Sequence, residues 1–486
     1  MPGAAFFDLD RTLLRRASGP ALSAAMRETG TVTRRLPFES LIFGWFDHFG
    51  ESLGSIALAR QAAIVAKGKP FDAFDEAAEL AGEVLADLVE PFGRLLIEEH
   101  QQAGRPAVLA TTTPEHLVRP LAERLGLDDV IATRYEIDAS GRFSGALDGH
   151  FVWSAGKLAA IKEWARERDV DLKESFAYSD SVYDAPMLRA VGQPGAVNPD
   201  PRLFALATLS RWPIISFDTS PGVVKVPLLG LEMQQVAMML TRPETYPYVR
   251  LRVEGLENVP DHGGAIIVGN HRSYFDVPTM VMAMRRTGRT ARFLAKKELF
   301  DAPLVGSMMR SVGGISVDRR HDDPDAPDPL AQAALALRGG ELVGMMPQGT
   351  IPRGIRFFDH ELRGRRGAAR LATMTKVPVI PFALTGTEVV WPRAAKGPNV
   401  TTVLRPPTVT VTFGEPVELK YRSERKDTER IMTAIADLLP EEVRRPARPT
   451  LAELAQTYPS GVVPPEDRWF AVDTDESAPA PAPSRS

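Results

Sequence analysis

Apolar residues along this chain fall into two patterns, short unbroken runs and longer stretches repeating every three to four positions. Residues 4–7 form a short run that ends in acidic residues. From about residue 20 to 102 helical periodicity dominates, broken near Lys69-Pro70, and no clear strand signal appears between residues 13 and 104. Run-plus-helix units follow, a run at 106–110 with a helical stretch at 114–125, then a run at 175–178 with one at 185–190. Strands alternating with helices pair in parallel. Residues 1–207 are therefore expected to form an α/β domain, a doubly wound parallel sheet with an inserted helical cap over about 13–104.

Residues 208–248 read as a connector. Its stretch 223–240 is rich in Leu and Met, contains Pro227 and is too short to span a bilayer, so it packs on a core or lies in a membrane interface. Alternation resumes at residue 249. A buried strand at 265–270 leads into a helix through residue 284, and Asp328-Pro329 opens a helix that Gly339-Gly340 ends. Further strands are expected at 341–347, 377–384 and 408–414, giving a second α/β unit over 249–440 without internal repeat of the first. Residues 441–473 form a C-terminal extension, and 474–486, rich in Ala, Pro and Ser, are expected to be disordered.

Composition narrows the chemistry. Lys plus Arg number 58 against 62 Asp plus Glu, a net charge of -4, which gives no global electrostatic case for nucleic acid. There are no cysteines, so disulfides, thiolate catalysis and cysteine zinc sites are excluded. The start carries no signal-peptide pattern, and no uncharged apolar run reaches the length of a spanning helix. A cytoplasmic protein, soluble or attached peripherally to the inner face of the cell membrane, is expected.

Asp8-Leu9-Asp10-Arg11-Thr12 sets two carboxylates just beyond an apolar strand, where ligands of open α/β sheets bind. Two close carboxylates suit a hard divalent cation such as Mg2+. Aspartates in such turns are common, so the pair alone is weak. Three more segments strengthen it: Thr111-Thr112-Thr113-Pro114 at another strand end, Lys157 at a helix start, and Asp180 and Asp184 at a third strand end. Singly, these read as a cap, a solvated lysine and turn residues; in this order they resemble the haloacid dehalogenase superfamily, in the branch of phosphoserine phosphatase. The resemblance covers about residues 4–205. It implies Asp8 as the nucleophile that forms an aspartyl-phosphate, Asp10 as general acid then base, and Thr111 and Lys157 on the phosphoryl oxygens. Mg2+ would be held by Asp8, the Asp10 carbonyl and Asp180, with Asp184 in support. Arg11 stands where the family usually has a small residue, and Ser179 where it has Gly.

The second constellation is Gly269-Asn270-His271-Arg272-Ser273-Tyr274-Phe275-Asp276. A turn can fold the Asp276 carboxylate back onto the His271 imidazole, fixing its tautomer and strengthening it as a base; the plainer reading is a histidine that caps the helix. Downstream lie Arg319 after a strand-like run, Gln348-Gly349-Thr350 ending another, Arg353 beyond it, and a Pro-bounded strand at 377–381. Arg319 in a surface ion pair is the plain reading for that residue. Together these resemble the glycerolipid acyltransferases, chiefly the 1-acylglycerol-3-phosphate acyltransferases, over about residues 249–416. The resemblance implies His271 as general base, oriented by Asp276, and acyl-CoA or acyl carrier protein as donor. Arg319, Gly349 and Thr350 would hold the phosphate of a lysophospholipid acceptor, with Lys296-Lys297 as an accessory patch. Gln348 replaces the family's usual Glu and Ile351 its usual Arg, with Arg353 as a substitute cation; the acceptor, more than the chemistry, is affected.

A bifunctional lipid enzyme is the expectation. Its alternative is a phosphatase whose C-terminal unit binds lipid or acylates another lysolipid. For contact with the membrane, residues 223–240 with Val281, Met282 and Met284 are expected to form a shallow apolar surface, flanked by Arg285, Arg286, Arg289 and Arg292.

Overall fold

The computed structural model describes residues 2–32, 62–64, 66–220, 231–240, 246–301, 313–317, 330–444 and 448–471, with single positions between them. Two compact units divide the chain, residues 1–221 and 222–486.

The first unit is built on a six-stranded sheet. Its strands are β1 (Ala5–Phe7), β2 (Ala107–Pro114), β3 (Asp129–Thr133), β6 (Phe176–Ser179), β7 (Gln193–Val197) and β8 (Ile214–Ile215). They run parallel in the order β3-β2-β1-β6-β7-β8. Side chains alternate across a strand, and both faces here are apolar. Ala5 and Phe7 join Leu13, Leu85, Ile97 and Leu109 on one side, and Ala4 and Phe6 join Val108, Ile161 and Leu188 on the other. Helices therefore cover both faces, as a parallel sheet requires. From the expected cap come α1 (Gly19–Glu28), α2 (Asp75–Asp87) and α3 (Pro91–Gln102), which share the core of the first face. On the chain follow α4 (Glu115–Arg124), α5 (Ala155–Glu167), α6 (Ala185–Ala190) and α7 (Pro201–Ser210).

A hairpin of β4 (Tyr135–Ile137) and β5 (Phe143–Leu147) was not expected. Both strands are short, three and five residues, so their alternation is too brief to register. Phe143 of this hairpin packs its ring against Phe71, Phe74, Tyr135 and His116. The expected connector over 208–248 is also corrected: α7 runs to Ser210, β8 adds an edge strand, and Phe217 is buried in the first core.

The second unit holds β9 (Arg250–Glu254), β10 (Ala265–Gly269), β11 (Ala291–Lys296), β12 (Ile315–Val317), β13 (Leu342–Met345), β14 (Val379–Thr385) and β15 (Thr408–Phe413). Their order is β12-β11-β13-β10-β14-β15-β9; the first five are parallel, and β15 turns antiparallel against β14. Ile266 and Val268 of the central strand face Leu337, Leu371 and Ile431, while Ala265 and Ile267 face Met280 and Met284.

Helix α8 (Met233–Leu240) belongs to this unit through a buried ion cluster. Arg292, 1% exposed, donates from Nη1 to Glu232 at 2.6 Å and from Nη2 to Glu341 at 2.7 Å. Burial alone would lower the Arg292 pKa, but its hydrogen bonds to the Glu341 and Glu232 carboxylates drive it above its ordinary value. The expected interfacial surface is thereby corrected in part: Arg285 and Arg286 are exposed as it requires, residues 224 and 226–230 lie outside the described residues, and the buried members are the exceptions. Met282 and Met284 are core residues, Arg292 is internal, and Arg289 donates to the Gly263 and Gly340 carbonyls at 2.6 and 2.7 Å. Among the described residues no helix is long and apolar enough to cross a membrane. The tail over 474–486 lies outside the described residues.

Candidate active sites

The first site lies at the carboxyl ends of β1, β2 and β6. Asp8 extends β1, its N–H donating to the Tyr178 carbonyl at 3.0 Å. Lys157, in the first turn of α5 and 1% exposed, donates from Nζ to Asp8 Oδ1 at 2.8 Å and to Asp184 Oδ2 at 2.7 Å. A buried ammonium needs such partners, because an unpaired charge there would cost several kcal/mol. Gly156 makes this entry possible: a Cβ there would stand 2.1 Å from the Phe151 carbonyl oxygen. Ser179 Oγ also donates to Asp184 Oδ2, at 2.8 Å, so the serine that stands in the family's Gly position supports the same carboxylate.

Asp180 closes the other side. Its N–H donates to Thr12 Oγ1 at 3.0 Å, and Arg11 Nε lies 3.5 Å from its Oδ2. Arg11 has φ +60°, a left-handed conformation that is unfavourable for any residue with a Cβ. Asp10 Oδ1 accepts the Ser18 N–H at 2.5 Å, and Ser18 Oγ lies 3.4 Å from Thr113 Oγ1. Thr111, 1% exposed, stands two residues beyond Leu109, the partner of Phe7, and its hydroxyl accepts the Thr113 N–H at 3.2 Å. The structure thus gathers Asp8, Lys157 and Asp184 in direct contact, and joins Asp10 to the Thr111 turn through Ser18. The contacts of Thr12 and Ser18 were not anticipated; Thr12, two residues after Asp10, was the available signal.

The donors suit Mg2+. They are hard oxygens, and although no three acidic or imidazole side chains among the described residues converge on one point, Mg2+ requires only one or two carboxylates besides water and phosphate.

The second site lies at the carboxyl ends of β10 and β13. Asn270 is clamped to β14, donating to the Leu384 carbonyl at 2.9 Å and accepting its N–H at 2.7 Å. The turn then folds back before α9 (Asp276–Met284), so that His271 Nδ1 meets Asp276 Oδ2 at 2.7 Å. The same oxygen accepts the N–H groups of Arg272 at 2.7 Å and Ser273 at 3.0 Å, and Asp276 is fully buried. An ionised carboxylate can only accept, which assigns the proton to Nδ1 and leaves Nε2 its lone pair.

The neighbouring turn is bound to this one, with Gln348 Oε1 accepting the His271 N–H at 2.7 Å. Gly349 has φ +75° and donates to the Met346 carbonyl at 2.8 Å, leaving it and Thr350 partly exposed beside the histidine turn. Ile351 is buried, and Arg353, the expected substitute cation, is exposed. A different cation reaches the turn: Arg393 donates from Nη1 to the Ile351 carbonyl. Lys296 and Lys297 lie at the end of β11, with Lys297 Nζ 3.4 Å from Asp301. Arg319 lies outside the described residues.

The haloacid dehalogenase-like hydrolase family model matches residues 5–189, and the acyltransferase family model residues 250–385. The chain is 34% identical over 218 residues to the inhibition of morphological differentiation protein of Streptomyces azureus, covering 44% of this chain and 78% of that protein. To a phosphoserine phosphatase of Mycobacterium tuberculosis it is 33% identical over 221 residues, 45% of this chain and 71% of that one. It is also 29% identical over 163 residues to a chloroplastic 1-acyl-sn-glycerol-3-phosphate acyltransferase of Arabidopsis thaliana, covering 33% of this chain and 43% of that protein. The chain belongs to the haloacid dehalogenase-like hydrolases through its first unit, and to that hydrolase it joins an acyltransferase domain.

Proposed function

We propose that this chain is a bifunctional enzyme of phospholipid biosynthesis. Its second unit would transfer an acyl group from acyl-CoA or acyl carrier protein to 1-acylglycerol-3-phosphate, giving phosphatidate. Its first would hydrolyse a phosphomonoester through an aspartyl-phosphate on Asp8.

The observation that carries the acyl-transfer reading is the 2.7 Å contact of His271 Nδ1 with buried Asp276. It leaves Nε2 to take the proton of the acceptor hydroxyl as the oxygen attacks the thioester carbonyl. The C–S bond breaks, and the departing thiolate receives that proton from the imidazolium, so no covalent enzyme intermediate is needed. Asp276 holds the ring and stabilises its charged form. Gly349 and Thr350 with Arg319 are the groups that would bind the acceptor phosphate.

For hydrolysis, Asp8 attacks phosphorus while Lys157 offsets charge on the transferring group. Asp10 protonates the leaving oxygen as its bond to phosphorus breaks, then takes a proton from the water that attacks the aspartyl-phosphate, so that the Asp8–phosphate bond breaks and phosphate leaves. Bound Mg2+ would neutralise phosphoryl charge, held by Asp8, Asp180 and the Asp10 carbonyl with Asp184 in support. Peripheral attachment to the inner face of the cell membrane is proposed because the acceptor's acyl chain lies in a bilayer. The test is a lipid-product assay on the purified chain with labelled acyl-CoA and 1-acylglycerol-3-phosphate. Labelled phosphatidate is expected; its absence with both acyl-CoA and acyl carrier protein donors would refute the reading.

A further inference from the structure

Arg393 follows β14 in a loop that touches both turns of the acyltransferase site. It is 9% exposed. Its Nη1 donates to the Ile351 carbonyl and lies 3.5 Å from that of Pro352, immediately after Gly349 and Thr350. It also hydrogen-bonds the side chain of Tyr274, which stands between His271 and Asp276. Two residues earlier, the Trp391 carbonyl accepts the Ser273 hydroxyl at 2.7 Å, so the loop is fastened to the histidine turn.

What distinguishes this arginine is its missing counter-charge. Arg292 is more deeply buried and also leaves its Nε without a hydrogen bond, but it is held by two glutamates, and Arg272 pairs with Glu388 at 2.8 Å. Arg289 meets only carbonyls, yet leaves no buried N–H without a partner. Arg393 has no carboxylate partner among the described residues, and its Nε is buried without a hydrogen bond. Burial lowers its pKa, and nearby Arg353 adds to that effect. A guanidinium kept out of water without an anion is unfavourable unless an anion arrives. The planar fork suits the oxygens of a phosphate monoester.

We propose that Arg393 binds the phosphate monoester of the acyl acceptor, supplying beside Gly349 and Thr350 the cation that Ile351 lacks. This rests on the acyl-transfer reading above and adds to it a binding residue from outside the motif segments. Phosphate and hydroxyl of a glycerolipid are separated by the glycerol carbons, so an anchor joined to both turns would hold the hydroxyl near His271.

The test uses the full chain carrying Asp8→Asn, so that the acceptor is not dephosphorylated. Arg393→Gln is expected to raise the KM for 1-acylglycerol-3-phosphate about tenfold to a hundredfold, with kcat and the donor KM within about twofold. An unchanged acceptor KM, or a loss confined to kcat, would overturn the assignment. If the glutamine variant does not fold, Arg393→Lys decides, because it retains the charge but loses the fork. A several-fold higher acceptor KM supports the proposal, and an unchanged one overturns it. Should the parent chain transfer no acyl group, the reading beneath this one has failed. Calorimetry with glycerol 3-phosphate then decides for Arg393 itself: a binding event weakened in Arg393→Gln or Arg393→Lys upholds the anion site, and identical isotherms reject it. Inorganic phosphate in a parallel titration separates the two sources, since equal affinity for it would mean a free-phosphate site and overturn the acceptor role.

Discussion

Gln348 and His271 are hydrogen-bonded to each other, the side-chain oxygen of one accepting the backbone N–H of the other at 2.7 Å. The turn proposed to hold the acceptor is thereby tied to the turn that carries His271, the proposed base. This explains how the chain accommodates Gln where Glu is usual, because the contact needs an acceptor oxygen and not a charge. Gln348→Glu is expected to keep acyl transfer within about threefold. Gln348→Leu leaves the N–H without its partner, a penalty of about 1–3 kcal/mol, and should lower kcat by about ten- to a hundredfold. Steady-state kinetics of both variants check this; a fully active leucine variant would contradict it.

His271 and Asp276 should act as one unit. His271→Ala is expected to lower kcat by about two to four orders of magnitude, the usual contribution of a general base. Asp276→Asn should bring a large share of that loss, because an amide can donate to Nδ1 and stabilise the wrong tautomer. Near-normal transfer by folded Asp276→Asn protein would reject its orienting role.

Both sheets were legible in the sequence because their central strands are buried on two faces and read as unbroken apolar runs. The side chains brought together at their ends were legible too, since Asp8, Lys157, Asp184, His271 and Asp276 follow such runs or open helices at characteristic spacings. Three features were hidden for physical reasons. The hairpin around Phe143 has strands of only three and five residues, too short for a period to show. Arg292 and Glu232 are 60 residues apart, and nothing local marks an arginine as internal. Arg393 sits in a loop, and its significance comes from a carboxylate it does not meet. Met282 and Met284 read as a membrane surface in the sequence and are core in the fold, because an apolar helix face looks alike whether it meets lipid or a sheet.

The Arg292 cluster yields a stability prediction. Arg292→Ala leaves Glu232 and Glu341 facing each other in the interior and should destabilise the second unit by about 3–5 kcal/mol. Arg292→Ala combined with Glu232→Gln should be less damaging than the two single losses added together. Denaturant unfolding of the variants measures both, and strict additivity would mean that the residues do not interact.

The first unit should weaken at mildly acid pH. Burial lowers the pKa of His116 from 6.5 to about 4, and burial with Arg105 does the same for His100. Between these values the unfolded chain binds protons that the folded unit does not. The stability contribution is therefore fully present above about pH 6.5 and is lost as pH falls towards 4. His116→Phe, in a cage already made by Phe71, Phe74, Tyr135 and Phe143, removes one titration. Its unfolding midpoint should fall less steeply than wild type across this range, whereas parallel curves would show that His116 does not contribute.

The central claim is that one chain carries two independent chemistries, on Asp8 in one core and His271 in the other. Phosphate release and acyl transfer should be assayed on the same preparations of Asp8→Asn and His271→Ala. Asp8→Asn is expected to lose phosphate release while retaining acyl transfer, and His271→Ala to do the reverse. Phosphate release at near wild-type rate from Asp8→Asn, or full acyl transfer by folded His271→Ala, would contradict the account.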